Sequence, residues 1–310
     1  VQREFRRFIQ KTPLSAAIGR MFGFFPPDDG EVAPTKAPLP DDPMILSRHI
    51  KELGHFLRAD IMGICRLPQY AVYSHDRNEQ PIELNHQNAI CVVVDQNYQA
   101  SEGSTGHDWI SNCQSGLSYT TSAFIAHQIA EYIRRLGYPA RTHHARHYDV
   151  VAPPILLQAG IGEMCRSGVV LNPFLGTRFK AAVVTTDLPL APDKPVDFGL
   201  QDFCHKCMKC ARECPSRAIS MDKKVMYNGY ETWKLDVDRC TKFRVANPNG
   251  SGCSHCVKVC PWNKANTWYH EAAVWMVERS SLASKFFIWL DDAMGYGKQK
   301  KQEKWWFDLE

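Results

Sequence analysis

Eight of the twelve cysteines fall between Cys204 and Cys260, at the spacing of metal ligands. The first group reads Cys204-x2-Cys207-x2-Cys210-x3-Cys214-Pro215, the second Cys240-x12-Cys253-x2-Cys256-x3-Cys260-Pro261. Close thiolates on a tight loop reach three corners of a cubane, and the fourth corner takes a cysteine from elsewhere in the fold, as in two-cluster ferredoxins. The spacing therefore predicts two [4Fe-4S] clusters with crossed ligands. Cys204, Cys207, Cys210 and Cys260 share one, and Cys214, Cys240, Cys253 and Cys256 share the other. Four-cysteine sets also suit zinc, but the triple Cys-x2-Cys-x2-Cys with a fourth Cys-Pro is far commoner for clusters. The longer gap after Cys240 departs from the shortest ferredoxin form, and a loop spans it. The remaining Cys65, Cys91, Cys113 and Cys165 sit in apolar or mixed surroundings and read as core residues. The chemistry of this module is one-electron transfer.

The rest of the chain has to position and use those electrons. At 310 residues it exceeds the usual size of one domain, which predicts a large core with a smaller module. A formal charge of +4, spread along the chain apart from Lys298, Lys300 and Lys301, does not suggest nucleic-acid binding. No run approaches the roughly 20 apolar residues of a membrane span. Arg6-Arg7-Phe8 has the look of a twin-arginine export signal, but no uninterrupted apolar stretch follows and Arg20 breaks the segment. The expectation is a cytoplasmic chain, with a removed export signal as the alternative.

Residues Pro26 to Pro43 hold six prolines and read as part of an extended arm, residues 1–43. Asp42 and Pro43 give an N-cap and first helical position, and Ile45, Leu46, Ile50, Leu53 and Leu57 mark the helix after them. Ile61 to Cys65, Ala89 to Asp95 and Phe179 to Thr186 are apolar runs of strand length. Phe124, Ile125, Ile129, Ile133 and Leu136 recur at helical spacing over Leu117 to Leu136, with Gly137 as the stop. Helices and strands alternate, so the fold class expected is α/β (or α+β) over 44–195, followed by the cysteine module over 196–270. A Trp-rich helical tail over 271–310 is expected to pack on the core.

The run Val151-Ala-Pro-Pro-Ile-Leu-Leu-Gln-Ala-Gly-Ile-Gly-Glu163, then Arg166, then Gly176-Thr-Arg-Phe-Lys180, then Thr185-Thr-Asp-Leu-Pro-Leu190 ahead of the cysteines resembles the cobalamin-dependent reductive dehalogenases. The likeness extends from Asp42 to Trp305-Trp306 and rests on ordered pieces matching together. It implies a nitroreductase-like core that seats base-off cobalamin, and a bacterial-ferredoxin-like domain that brings one cluster near the cobalt. The chain has no Asp-x-His-x-x-Gly signature, so a histidine as lower cobalt ligand is not indicated. The family pairs a tyrosine proton donor with a cation. By position these are Tyr119, opening the long helix, with Lys180 and, second to it, Arg178. A phenol has a pKa of about 10 in water, and an adjacent cation favours its ionised form. Ala123, Ala126 and Ala130 share the face of Tyr119 and would admit a macrocycle or another helix.

Gly160, Gly162, Arg166, Ser167 and Asn172 are the family-level placement for cobalamin contacts. Among the dense histidines His143, His144 and His147, the last two are candidates for a polar wall of the substrate pocket. Arg244, in the loop after Cys240, with Lys242 beside it, is the candidate cation for an anionic substrate such as a halogenated phenol or hydroxybenzoate. A small-molecule organohalide and an electron donor such as a ferredoxin, flavodoxin or reductase domain are the partners implied. Two rivals stand beside this reading. Epoxyqueuosine reductase shares the cysteine motifs and the Ala-Gly-Ile-Gly turn, with Asp149 an approximate match to its acid. A non-catalytic iron-sulfur carrier would need only the module.

Overall fold

A computed structural model describes residues 13–26, 29–145, 147–227, 230–247, 252–265 and 267–304. The first element among the described residues is helix α1 (Pro13–Met21), so the arm is not extended throughout. Ile18 of this helix meets Gly116 of the long helix described below. From Ala33 to Leu39 the arm runs without helix or strand, bent at Pro34 and Thr35, held by N–H bonds from Ala33 to the Arg134 carbonyl (3.0 Å) and from Ala37 to that of Leu136 (3.1 Å). Arg6 and Arg7 lie outside the described residues. Helix α2 (Pro43–Phe56) starts as its sequence dictates, with the Asp42 carboxylate accepting the Met44 N–H at 2.8 Å.

Strands β1 (Ile61–Arg66) and β2 (Asn88–Asp95) precede a short helix α3 (Tyr98–Gly103) and the long helix α4 (Trp109–Arg135). Strand β3 (Ala140–His143), helix α5 (Ala152–Gln158), the pair β4 (Glu163–Met164) and β5 (Val170–Leu171), and strand β6 (Phe179–Thr186) complete the core. The main sheet has the order β1-β2-β6-β3 and is antiparallel throughout, which makes the core α+β. The strands read as continuous apolar runs because both faces are covered. Ile64, Ile90, Val92 and Val184 pack against Ile125, Ile129 and Ile133 of α4 and Ile50 of α2. On the other face Cys65, Cys91, Val93 and Val183 pack against Ile155, Leu156 and Ile161. Ala123, Ala126 and Ala130 are fully buried, the latter two within the layer between α4 and the sheet, so their small size serves helix packing.

Helix α4 starts at Trp109 rather than near Leu117, which puts Tyr119 in mid-helix. Its first turns carry Ser111, Asn112, Gln114 and Ser118 and so lack apolar periodicity. They are held instead by polar contacts: the Asp108 carboxylate caps Ser111 N–H at 3.3 Å, and Ser118 Oγ donates to the Asp95 carbonyl at 2.9 Å.

The cysteine module contains α6 (Leu200–Cys207), α7 (Lys209–Arg212), a hairpin of β7 (Val225–Tyr227) and β8 (Tyr230–Thr232), α8 (Val237–Ala246) and α9 (His255–Lys258). Helices α10 (Trp268–Arg279) and α11 (Ser281–Ala293) pack on this module, and α10 also meets the core, where Val277 shares a cluster with Cys165 and Leu171 and His270 bonds to the Pro173 backbone. Val277, Phe287 and Ile288 join Phe203 and Trp262 there, and Lys209 makes a buried ion pair with Asp291 at 2.6 Å. The following segment reaches the core as well, where Lys300 N–H donates to the Glu102 carbonyl at 2.8 Å. Trp305 and Trp306 lie outside the described residues. Among the described residues no helix is long and apolar enough to cross a membrane.

Candidate active site and electron-transfer module

Cys204, Cys207, Cys210 and Cys260 line one small cavity, together with Cys256, Cys165, Arg166 and Ser167. Cys204 and Cys207 come from α6, Cys210 from α7 and Cys260 from the turn after α9, so the fourth thiol crosses over from the second motif. Cys214, Cys240, Cys253 and Cys256 form the other neighbourhood: Cys253 and Cys256 both feel the charges of Cys214 and Cys240. Cys256 sits where the two groups adjoin.

Burial pushes the Cys207 thiol up to about 11 and the Cys256 thiol up to about 12, and lifts Cys204 and Cys260 well above the ordinary range. Loading such a site with iron therefore releases protons. Cys214 differs. Burial opposes ionisation there too, but Ser216 at 3.4 Å and the Ala218 N–H at 3.4 Å help to hold its thiol below the ordinary value.

A second cavity, of about 320 Å³, lies on the core side and has the size of a small-molecule site. Tyr119 from α4 and Lys180 from β6 both line it, with Lys180 Nζ 5.4 Å from the centroid of the Tyr119 ring. Tyr73, Tyr148, Val150, Pro153 and Leu156 form much of its wall. The two cavities share a partition. Arg166 and Ser167 face the cysteines while Gly168, Val169 and Val170 face Tyr119; in the same way Cys256 faces one cavity and Val257 the other.

The other candidate residues are placed elsewhere. Arg178 does not line the Tyr119 cavity; the residue is 2 % exposed. It grips both Asp95 carboxylate oxygens (2.9 and 3.0 Å), the Gln96 carbonyl, Asn263 Oδ1 and the Lys264 carbonyl, a structural clamp between core and module. Gly160, at φ +68°, lies against the Lys194 carbonyl, and Gly162 lies against the Leu171 carbonyl, so each is small to let two backbones meet. Asn172 spends its amide on the Ile161 carbonyl (2.6 Å) and on the Phe174 and Leu175 N–H groups.

Arg166 is turned toward the module. It donates to the carbonyls of Cys204 (3.0 Å), His205, Ser220 and Asp222 and stacks on Trp233, which fixes the loop that carries the first cysteines. None of Gly160, Gly162, Arg166, Ser167 and Asn172 lines the Tyr119 cavity.

His144 is buried and packs on His127 and Phe25, with its backbone paired to that of His147. His147 faces a separate polar cavity with Asp29, Arg141 and Asp149. Asp149 is paired there with Arg141 at 3.3 Å. Arg244 lies on α8 rather than in a loop, one turn after Cys240, exposed and close enough for its charge to act on Cys240 and Cys253. Lys242 is exposed on the same helix, and neither lines the Tyr119 cavity.

Three parts of the site had no sequence signal strong enough to find them. Tyr148 separates the Tyr119 cavity from the polar one, its hydroxyl donating to the Ala181 carbonyl at 3.0 Å and held protonated by burial. Gly168 to Val170 form the partition by belonging to the turn into β5. Cys165, read as core, stands beside the cluster cysteines.

Comparison with known proteins agrees with this layout. Residues 203–264 match the model of a 4Fe-4S dicluster domain. Tetrachloroethene reductive dehalogenase of Desulfitobacterium hafniense is 40% identical over 217 residues, which are 65% of this chain and 38% of that protein. The solved structure of the catabolic reductive dehalogenase NpRdhA superposes with a TM-score of 0.94 at 42% identity, covering 99% of this chain and 45% of that one. Epoxyqueuosine reductase bound to a tRNA stem loop shares the fold, with a TM-score of 0.51 and 15% identity over 73% of this chain. The chain thus spans less than half the length of the reductive dehalogenases compared here.

Proposed function

We propose that this chain, a homologue of the reductive dehalogenases over the part of them that it spans, removes halide reductively from an organohalide. The observation that carries the reading is the pairing of Tyr119 and Lys180 in a cavity whose wall is also the wall of the cysteine cavity. A relative of 44% identity and TM-score 0.89 is described by a B12-dependent dehalogenation mechanism. The Tyr119 cavity suits such a cofactor: its walls are largely aliphatic and aromatic, and no histidine is among its described lining residues. When bound there, cobalamin supplies a low-valent cobalt at which the carbon–halogen bond is reduced.

The chain's own residues account for the rest. The reaction R–X + 2 e⁻ + H⁺ → R–H + X⁻ needs two electrons and one proton. The crossed thiolate sets, Cys204, Cys207, Cys210, Cys260 and Cys214, Cys240, Cys253, Cys256, hold two clusters that pass electrons singly, so each turnover takes two deliveries. Tyr119 Oη gives the proton, and Lys180 stabilises the phenolate left behind. Tyr148 and Tyr73 shape the cavity against the substrate. A structure of NpRdhA holds 3-bromo-4-hydroxybenzoic acid, and a halogenated phenol or hydroxybenzoate is the substrate class proposed here. A ferredoxin, flavodoxin or reductase domain would supply the electrons.

Asp149 argues against the epoxyqueuosine alternative, because the carboxylate that would be the acid is paired with Arg141 in the other cavity. The test is reconstitution with iron, sulfide and cobalamin, followed by electron paramagnetic resonance of Co(II) and bromide release from 3-bromo-4-hydroxybenzoate. Corrin uptake with bromide release is the expected result. No corrin uptake would leave only an electron carrier.

A further inference from the structure

The eight thiols of the two motifs satisfy two four-iron clusters, yet a ninth is buried among them. Cys165 belongs to the core segment between β4 and β5, is 4 % exposed, and lines the same cavity as Cys204, Cys207, Cys210 and Cys260. It also packs with Cys204, Cys207, Phe203 and Trp262 in one apolar cluster. Its backbone is fixed on both sides, the Cys165 N–H donating to the Val169 carbonyl and the Gly168 N–H to the Cys165 carbonyl, each at 3.0 Å.

We propose that Cys165 is a non-ligating thiol that, with Ser167, donates a hydrogen bond to the sulfurs of the cluster held by Cys204, Cys207, Cys210 and Cys260 and so raises its reduction potential. This rests on the two-cluster reading above. Cys165 Sγ and Ser167 Oγ lie 3.1 Å apart, and both residues line the cavity. The pair owns two hydrogens and shares one contact, so one S–H or O–H is left for a third acceptor. A cluster ligated by four thiolates is rich in sulfur acceptors, and hydrogen bonds to those sulfurs are one of the terms that set its potential. The location gives the effect a use. The residue after Ser167, Gly168, already lines the Tyr119 cavity, so the segment that carries the pair lies between that cavity and the cysteines.

The experiment is a redox titration of the reconstituted protein followed by electron paramagnetic resonance, with iron counted first. Wild type should carry eight irons; fewer would refute the two-cluster reading itself. Cys165→Ala should keep all eight and lower the midpoint potential of one cluster while the other stays put. Cys165→Ser, which keeps a donor, should titrate close to wild type. Unchanged potentials in Cys165→Ala would overturn the proposal. So would the loss of four irons in both variants, since Cys165 would then be a ligand or a structural support.

Discussion

Lys180 Nζ stands 5.4 Å from the centroid of the Tyr119 ring, across the gap between β6 and α4. The two residues are 61 positions apart in the chain and meet because α4 packs along the sheet that contains β6. Tyr119 is half-buried, in a cavity that also reaches the partition with the cysteines. A phenol and an ammonium so placed form a proton donor with its counter-charge.

Tyr119→Phe removes one hydroxyl and leaves the ring in place. It should keep both clusters and the corrin, by iron and cobalt content, and lose about 100-fold or more in halide release, the scale of general acid catalysis. Turnover at the wild-type rate would remove Tyr119 from the mechanism.

Lys180→Met retains the aliphatic stem and takes away the charge. The expected result is a loss of turnover of about 10-fold or more, with cofactor content unchanged and a shifted pH–rate profile. Steady-state rates across pH 6 to about 10 check this, and an unmoved profile would make Lys180 a packing residue only.

The crossed ligation makes paired substitutions informative. Cys214→Ala combined with Cys240→Ala should cost one cluster, about four of eight irons, because both belong to the same set. Cys214→Ala combined with Cys204→Ala should cost both. Iron analysis and electron paramagnetic resonance distinguish the two patterns.

Arg178→Met should weaken folding without acting on the chemistry first. It strips the guanidinium from Asp95, Gln96, Asn263 and Lys264 and leaves buried acceptors behind. Breaking such a pair costs about 3 kcal/mol, which a urea midpoint would report. A midpoint within error of wild type would contradict the clamp.

His143 carries a pH dependence. Its ring is fully buried, Nε2 lies 3.0 Å from Thr185 Oγ1, and Nδ1 accepts the Asp149 N–H at 3.3 Å, so the neutral ring is the one accommodated. Burial, with smaller contributions from Arg141, His86 and His144, lowers its pKa to about 3. The unfolded chain therefore binds the extra proton between pH 6.5 and about 3, and stability present above pH 6.5 is lost as the pH falls through that window. His143 alone should cost about 2 kcal/mol between pH 7.5 and 5. Urea titrations at the two pH values, compared with His143→Gln, test this; an equal pH loss in the variant would assign it to other groups.

Cysteine chemistry was legible in the sequence because cluster ligation is a matter of local spacing: three thiols on one loop and a Cys-Pro need no knowledge of the fold. The α2 start at Asp42-Pro43 and the apolar strands were legible for the same reason, each being set by a few adjacent residues. Tyr119 and Lys180 could be matched to a family pattern, but their meeting depends on α4 lying against β6. The polar first turns of α4 hid its true start, since hydrogen bonds to Asp95 and Asp108 replace apolar periodicity there.

Tertiary structure alone decided which polar side chains were already spent. Arg178, Asn172 and Arg166 look available as letters, and burial obliges each to satisfy its donors within the protein. It alone also brought Cys165 to the cluster cysteines, from a part of the chain whose local sequence says only that it is apolar. Spacing along the chain determined what could bind; the packing of α4, β6 and the β4–β5 turn decided what stands beside it, because neighbours across a folded core are fixed by burial and not by sequence distance.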